Sequence, residues 1–442
     1  MKKIEKMKII NAGAAGIDVG SRSHFAAVGQ TTDDVQEFGV YSCDHAKMIV
    51  FLRQHGIVTI AMESTGSYWQ TLFFALQKEG FEVLLVSGHQ TKNVRAKTDV
   101  KDCQWIQKLH SLGLLRGCFL PNEHTARLRI LHRHRTSLVE ESAKMSNKMQ
   151  KALRMMNLRL DVVLSDITGT SGIAIIEAVI AGQRDGKALA TLANNRVRKT
   201  KQEIAAALQG HWSNELLFEL EDCYDLYKIL QGKIQVCDQK IQSLLNDFTS
   251  NSEYDTTGIT LTKKQVKGKN QPRFNLPELS YRFYGVDLFA VGGISMNTVL
   301  TLITEIGQDI YKFPTAKQFT SYLRLAPNNR ISGGKTISSR TPKGSNRFAI
   351  ALRNAANTID RLKEGNLVSF FKRIAYKKGR GAAITATARK LATIIWNMIF
   401  KKQPYQPMES QHYQELIKQK RISSIKRLMR KSNITTVELS TV

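Results

Sequence analysis

The stretch Lys97-Thr98-Asp99-Val100-Lys101-Asp102 opens a helical pattern that continues to Leu112. An α-helix turns about 100° per residue, so Asp99 and Asp102 lie on one face of the predicted helix. Such an Asp pair is commonly a solvated helix start that the helix dipole favours. Two acids far upstream suggest a second interpretation.

Asp18 and Glu63 each end or interrupt a short apolar run bounded by glycine, in Gly16-Ile17-Asp18-Val19-Gly20 and in the run before Gly66. This pattern is typical of strand tips, although a single strand-end Asp more often belongs to a turn or a cap. Four acids on two strand tips and one helix face could converge, and their repulsion would call for a hard divalent cation such as Mg²⁺. Two such ions stabilise the attacking and leaving oxygens of a phosphoryl transfer. The predicted metal ligands are Asp18, Glu63, Asp99 and Asp102.

The charge of the chain points to a polyanionic partner. Its 442 residues contain 65 Lys and Arg but only 37 Asp and Glu, a net charge of +28. Nucleic acid is the first candidate and an anionic membrane surface the rival. No apolar run approaches the roughly 18 residues of a spanning helix, so we expect no membrane insertion. The five cysteines form no CxxC pair, which favours a reducing cytoplasm over a zinc site or a disulfide framework.

The order of apolar patterns divides the chain. Residues 8–125 alternate short strands with helices, which predicts an α/β domain with a mixed sheet. Residues 126–250 show long helical stripes with basic faces, which predicts two antiparallel helices forming a coiled-coil-like arm. Residues 251–283 are polar and basic, as in a linker or insertion. Residues 284–400 are mostly helical, and residues 401–442 read as a basic helix with a frayed end.

Two motifs in the region 284–400 could meet a phosphate. Gly292-Gly293 joins two apolar segments as in a helix-hairpin-helix, whose backbone N–H groups can bind phosphate, although ordinary glycine caps explain it as well. Ser332-Gly333-Gly334 offers a hydroxyl beside glycines that let a backbone approach closely, although a polar turn has the same pattern. It lacks the spacing of a nucleotide-binding P-loop. The flanking cations that could stabilise charge on phosphorus are Arg330, Lys335, Lys343 and Arg347.

Taken together, these residues resemble the IS110/IS1111 family of insertion-sequence transposases, the DEDD recombinases. The order Asp18, Glu63, Asp99, Asp102 fits the family tetrad, and Lys97-x-Asp99-x-x-Asp102-x-x-Trp105 is the most specific local match. Gly292-Gly293-Ile294 and the Ser332 stretch match the second part of the family pattern. The long middle region and the basic C-terminal segment lie outside it.

The resemblance implies a RuvC-like, RNase H-type N-terminal domain, a helical arm and a mostly α transposase domain. It implies a composite site in which the tetrad holds Mg²⁺ and a serine attacks DNA, giving a covalent phosphoserine-type intermediate. Ser332 is the expected nucleophile, with Ser338, Ser339 and Ser345 as alternatives. A structured guide RNA encoded by the element is an expected second partner. We also expect a homodimer or homotetramer that is cytoplasmic and associated with the nucleoid when it acts.

Three other functions remain open from the residues alone. A RuvC-like nuclease that hydrolyses branched DNA would use the same acids with water as the attacking group. An actin-like sugar kinase or ATPase also begins with a loop like Gly16-Ile17-Asp18-Val19-Gly20-Ser21, although no second phosphate loop is evident. A non-catalytic nucleic-acid-binding protein would use the acids only structurally.

Overall fold

The computed structural model of the protein describes residues 7–91, 98–262, 268, 270–407 and 410–431. Lys97 of the tetrad motif and the lysines 263, 264, 267 and 269 of the predicted insertion therefore lie outside the described residues. The chain divides into two compact units, with the boundary between Leu120 and Pro121. No helix of the described residues is long and apolar enough to cross a membrane.

The N-terminal unit is built on a five-stranded mixed sheet with the strand order β3-β2-β1-β4-β5. Strands β1, β4 and β5 are parallel, and β2 and β3 pair antiparallel at one edge. The strands are β1 Ala14–Val19, β2 His24–Ala27, β3 Val35–Phe38, β4 Thr59–Glu63 and β5 Glu82–Val86. The helices are α1 Ser42–Gln54, α2 Trp69–Lys78, α3 Gly88–Thr91 and α4 Asp99–Ser111.

This sheet confirms the predicted mixed α/β architecture. Its first strand begins at Ala14, and the apolar residues Ile9 and Ile10 before it are exposed and pair with no strand among the described residues. Strand β3 was not predicted, since it is an edge strand in which only Phe38 is buried and no apolar run marks it.

The C-terminal unit is mostly helical. Its first helices are α5 Glu123–Met155, α6 Leu160–Val163, α7 Thr170–Ile180, α8 Gly186–Thr191, α9 Lys201–Ala207 and α10 Asn214–Thr249. The later elements are α11 Leu276–Tyr284, α12 Met296–Glu305, α13 Ala316–Tyr322, β6 Arg330–Ser332, β7 Lys335–Ser338, α14 Arg347–Ile359, α15 Asn366–Lys378, α16 Arg380–Lys401 and α17 Ser410–Lys431.

Helices α5 and α10 run antiparallel along each other. Arg135 pairs with Asp238, with Nε and Oδ1 2.5 Å apart, and Gln231 donates to the hydroxyl of Ser142 at 2.8 Å. Residues later in α5 therefore contact residues earlier in α10, as antiparallel helices require. Both members of the Arg135–Asp238 pair are buried, so losing either would leave an uncompensated charge.

Between these long helices, α6 to α9 form a separate apolar core. Its centre contains Ile176, Leu189 and Ile204, closed by Leu153 of α5 and Leu220 of α10. The region 126–250, predicted as two antiparallel helices, therefore also contains a small helical insert between them.

Residues 251–283 were predicted as a linker or insertion, but the C-terminal end of this segment is helical. There α11 buries Leu276, Leu279 and Phe283 in the largest apolar core among the described residues. The spacing of three and four residues between these apolar side chains places them on one helix face, which explains their burial.

Candidate active site

Asp18 lies half-buried on the central strand β1, where helix α4 packs directly onto the strand. A Cβ atom on Gly16 would lie 2.2 Å from the backbone nitrogen of Gln107 and 2.5 Å from the carbonyl oxygen of Cys103. The Gln107 amide also donates to the carbonyl of Ala14 at 3.1 Å. Helix α4 therefore runs opposite to β1, with its start beside the C-terminal end of the strand. This direction places the first turn of α4, with Asp99, at the Asp18 end of the strand.

Glu63 ends the neighbouring parallel strand β4. The register sets Ile17 beside Met62, so Asp18 and Glu63 follow each other at the same edge of the sheet. The Glu63 carboxylate accepts a hydrogen bond from the Thr91 hydroxyl at 2.5 Å and one from Thr65 at 3.3 Å. These hydroxyls hold one of the four acids in a fixed orientation.

The pKa of Asp18 reflects its burial and the charges of the three other acids. Burial is the largest cause of its rise from 3.8 to about 6, and the charges of Glu63, Asp102 and Asp99 follow in that order. Three acids from two separate segments thus raise the pKa of the fourth. The interpretation that all four side chains bind one metal ion remains a prediction.

Within the described residues, no three or more His, Cys, Asp or Glu side chains lie at the spacing that would hold a metal ion. Four like charges repel at short range, which opposes their approach to a shared centre. Two properties of the site fit a divalent cation. Its donors are all carboxylate oxygens, the ligands that Mg²⁺ prefers, and burial together with the charges of the other three acids raises the pKa of Asp18 to about 6.

Ser332 ends β6 in an exposed hairpin of the C-terminal unit. It pairs with Lys335 of β7 across the two-residue turn Gly333-Gly334. Both glycines have positive φ values, +52° and +73°, as a two-residue type I′ hairpin turn requires. The predicted polar turn is thus a β-hairpin inside a helical unit, with the serine hydroxyl on its surface.

The predicted phosphate-binding cations lie on or near this hairpin. Arg330, Lys335 and Lys343 are exposed, and the carbonyl of Lys343 accepts a hydrogen bond from Arg324. Arg347 is the first residue of α14, and its Nε lies 3.9 Å from a Glu305 carboxylate that also serves Arg129 and Arg133. The charge of Arg347 is therefore partly balanced inside the protein. The alternative serines 338, 339 and 345 lie on the same exposed segment.

Gly292 and Gly293 are half-buried between a 3₁₀ turn, Leu288–Ala290, and α12. A Cβ on Gly293 would lie 2.9 Å from the carbonyl of Ala355 on α14, and its φ is +84°. Helix packing therefore explains the glycine at 293. The segment before the glycines is a single 3₁₀ turn, so the predicted helix-hairpin-helix begins with a turn shorter than a helix.

Three site residues were not predicted from sequence. Gly16 and Gln107 fix α4 on β1, and Thr91 orients Glu63. Gly16 belongs to the motif of residues 16–20 around Asp18, and its lack of a side chain could have indicated a close contact with another segment. Thr91 is the last residue of the four-residue helix α3, and nothing in the sequence marks it.

Comparison with known proteins adds to this geometry. A transposase family model, the DEDD transposase of IS110, matches residues 15–157, and the model of the IS116/IS110/IS902 transposase family matches residues 288–369. The uncharacterized 43.6 kDa protein of insertion element IS110 from Streptomyces coelicolor is 22% identical over 344 residues. That alignment covers 75% of this chain and 80% of the relative.

Both matched regions carry the residues described above: the first contains the four acids, and the second contains Gly292, Gly293 and Ser332. They define the protein as a DNA transposase, an enzyme of DNA recombination. The chain belongs to the IS110 family. The DEDD match also implies a RuvC-like fold for the N-terminal region, in agreement with its mixed sheet.

Proposed function

We propose that this transposase cuts and exchanges DNA strands through a covalent link to Ser332, assisted by Mg²⁺ at the acid site. The observation that carries the proposal is the coupling of Glu63, Asp99 and Asp102 to Asp18. Such a concentration of carboxylates at a sheet edge has little structural value, because it lowers stability unless a cation is present. The proposed metal ligands are Asp18, Glu63, Asp99 and Asp102.

The proposed step is a transesterification. The Ser332 oxygen forms a bond to the phosphorus of a DNA phosphodiester, and the bond from phosphorus to the departing strand oxygen breaks. The serine loses its hydroxyl proton and the departing oxygen gains one, so atoms and charge balance. A divalent cation held by the acids would stabilise negative charge on the attacking and leaving oxygens.

The residues around Ser332 have supporting roles in this proposal. Arg330 and Lys335 flank the serine on the hairpin, and their exposed charges attract the phosphate group. Lys343 and Arg347 would extend this attraction along the backbone, and the N–H groups at Gly292 and Gly293 would add weaker contacts. A later attack by a DNA hydroxyl on the phosphoserine would release the serine and join the exchanged strand.

We further propose a structured guide RNA as the second partner and a homodimer or homotetramer as the acting form, located at the nucleoid. The family resemblance carries these proposals, and the net charge of +28 is compatible with binding two nucleic acids. The paired strand cuts of recombination favour more than one copy of the chain.

The decisive test is strand exchange on a supercoiled substrate by Ser332→Ala. The variant should lose exchange at least 1000-fold (about 4 kcal/mol of activation free energy) and form no covalent adduct, while binding DNA within twofold of wild type. Ser338→Ala and Ser345→Ala are matched controls on the same exposed segment and should retain both exchange and adduct.

The outcomes separate the alternatives. Cleavage that survives Ser332→Ala would favour a RuvC-like nuclease with water as the attacking group. Exchange that survives Asp18→Asn or Asp102→Asn would favour a DNA-binding protein without this catalytic site. The transposase matches argue against the sugar-kinase alternative, and ATP turnover without DNA would be needed to restore it.

Chelation gives an independent test of the metal. Removal of Mg²⁺ with EDTA should abolish exchange and leave most DNA affinity, because lysine and arginine supply that affinity. Exchange at the full rate after chelation would refute the assignment of the four acids as metal ligands.

A further inference from the structure

The helical pair α15–α16 has an unusual charge composition. From Asn366 to Lys402 the chain carries nine Lys and Arg and no Asp or Glu. This stretch lies almost wholly beyond residues 288–369, the segment that the second family model matches. The nine cations are Lys372, Arg373, Lys377, Lys378, Arg380, Arg389, Lys390, Lys401 and Lys402.

Two of these cations serve the protein itself. Arg380 pairs with Asp360 and donates to the side chain of Asn357 at 2.6 Å. Lys402 donates to the carbonyl of Tyr284 at 2.7 Å, and its ammonium group lies 4.4 Å from the ring centre of Tyr254. These two residues hold the start and the end of α16 and are not part of the surface described next.

Three of the four cations of α15 share one face with an exposed aromatic ring. Positions 372, 373, 376 and 377 span about 140° of the helix at 100° per residue. Tyr376 lies among the three cations of this face and is 92% exposed. Lys372 and Lys377 are exposed, and Arg373 is half-buried.

This face continues onto α16. The half-buried ring of Phe370 has the Arg373 guanidinium 5.6 Å and the Lys390 ammonium 4.6 Å from its centre. One ring therefore brings together cations from two helices, although like charges repel. We call the face formed by Lys372, Arg373, Tyr376, Lys377 and Lys390 the basic face.

We propose that the basic face binds the backbone of duplex DNA, with the ring of Tyr376 packed against a deoxyribose between two bound phosphates. Two rigid helices present their cations at fixed spacing, which suits the regular phosphates of a duplex better than a single strand. An almost fully exposed ring among cations fits a partner that offers both phosphate and an apolar sugar face. The proposal rests on DNA as the substrate but not on the chemistry at Ser332.

The test compares two triple variants of the full chain. Lys372→Gln/Arg373→Gln/Lys377→Gln removes three charges of the basic face. Lys47→Gln/Lys144→Gln/Lys228→Gln removes three exposed lysines that each pair with a carboxylate on their own helix. Binding of a 40-base-pair duplex is measured by fluorescence anisotropy at several salt concentrations.

The basic-face variant should bind at least tenfold more weakly at physiological salt. Its slope of log K against log[salt] should fall by up to about 2.7, at about 0.9 for each phosphate that the variant no longer neutralises. The control triple should keep affinity within twofold and an unchanged slope. Because Arg373 is half-buried, the exposed pair Lys372→Gln/Lys377→Gln serves as a second variant, with an expected decrease of up to about 1.8 in slope.

Tyr376 is tested separately. Tyr376→Ala should weaken duplex binding about three- to tenfold, and Tyr376→Phe should bind within twofold of wild type because it keeps the ring. An unchanged salt slope in both charge variants would overturn the proposal. If the charge variants kept the wild-type salt slope for duplex DNA but lost affinity for a structured RNA, the proposal would also be overturned, and the basic face would instead contact RNA. Ser332→Ala should keep the wild-type slope, so failure of the chemistry and failure of this surface give different results.

Discussion

The acid site and the serine hairpin stand on different kinds of scaffold. Asp18 and Glu63 extend from strands whose other residues are nearly all buried, and α4 touches β1 with no room for a side chain at Gly16. No residue from Ala326 to Arg347, the segment with Ser332, is buried. Repelling charges need a stiff support to stay together, whereas a nucleophile that must reach DNA needs access. We therefore expect mutations near the acids to change stability and activity together, and mutations in the exposed hairpin to change activity alone.

The largest expected effect is that of Asp18→Asn. Exchange should fall at least 1000-fold, since a neutral amide is a poor ligand for a hard cation. In EDTA the variant should nevertheless be more stable than wild type at pH 7.5, by about 1 to 2 kcal/mol after allowance for solvent screening.

The pH dependence of this gain follows from linkage. The pKa of Asp18 is raised in the folded state, so the unfolded chain ionises first as the pH rises from 3.8 to about 6, and wild-type stability falls over that range. The advantage of the variant should therefore grow from pH 4 to pH 6 and stay constant above it, as measured by urea unfolding. A variant that is less stable than wild type at neutral pH would contradict the destabilisation of the Asp18 charge by burial and by the three other acids.

Gly16→Ala should have the next largest effect. The added Cβ meets backbone atoms of α4, so the helix must move, at a cost of about 2 to 4 kcal/mol in unfolding free energy. Exchange should fall as well, because Asp99 and Asp102 move with α4. Gly232→Ala is the matched control, since nothing lies within 4 Å of its added Cβ in the middle of α10. It should stabilise the protein by about 0.5 to 1 kcal/mol.

Low pH should lower the stability of the N-terminal unit through protonation of His24. Burial, and then the neighbouring His45, lower the pKa of His24 from 6.5 to about 4. This histidine stays neutral in the fold while the unfolded chain takes up a proton below pH 6.5. Stability is therefore complete above pH 6.5 and is lost as the pH falls towards 4, by about 1 kcal/mol between pH 7.5 and 5.5. His24→Leu should flatten that part of the urea-unfolding profile, and an unchanged profile would exclude His24 as its cause.

The smallest effect is expected in the hairpin. Gly333→Ala places a side chain at φ +52°, which costs about 1 kcal/mol in a segment that supports no core. Exchange should fall about three- to fivefold, with the melting temperature unchanged. Gly333→Asn is the matched variant, because asparagine tolerates the left-handed conformation, and it should retain most of the activity. A large loss of stability in Gly333→Ala would mean that the hairpin is packed and that the comparison fails.

The sequence predicted those parts of the site that depend on local patterns and missed those that depend on contacts between distant residues. The strand tips at Asp18 and Glu63 and the helix start at Asp99 were predictable because apolar runs and helical periodicity are local signals. Thr91 and Gln107 were not, since their contacts with Glu63 and Ala14 join residues distant in the chain. The hairpin around Ser332 was expected only as a turn, because its strands are short, polar and exposed.

By itself the sequence determined the mixed α/β unit, the helical second part, the four acids with a serine motif, and the charge that requires a polyanion. These properties depend on residue order and composition alone. Only the tertiary structure decided that α4 lies against β1 at Gly16, that a separate core stands between α5 and α10, and that Phe370 gathers cations from two helices. Each of these arises from contact between distant segments, where shape and charge act through space and leave no periodic pattern along the chain.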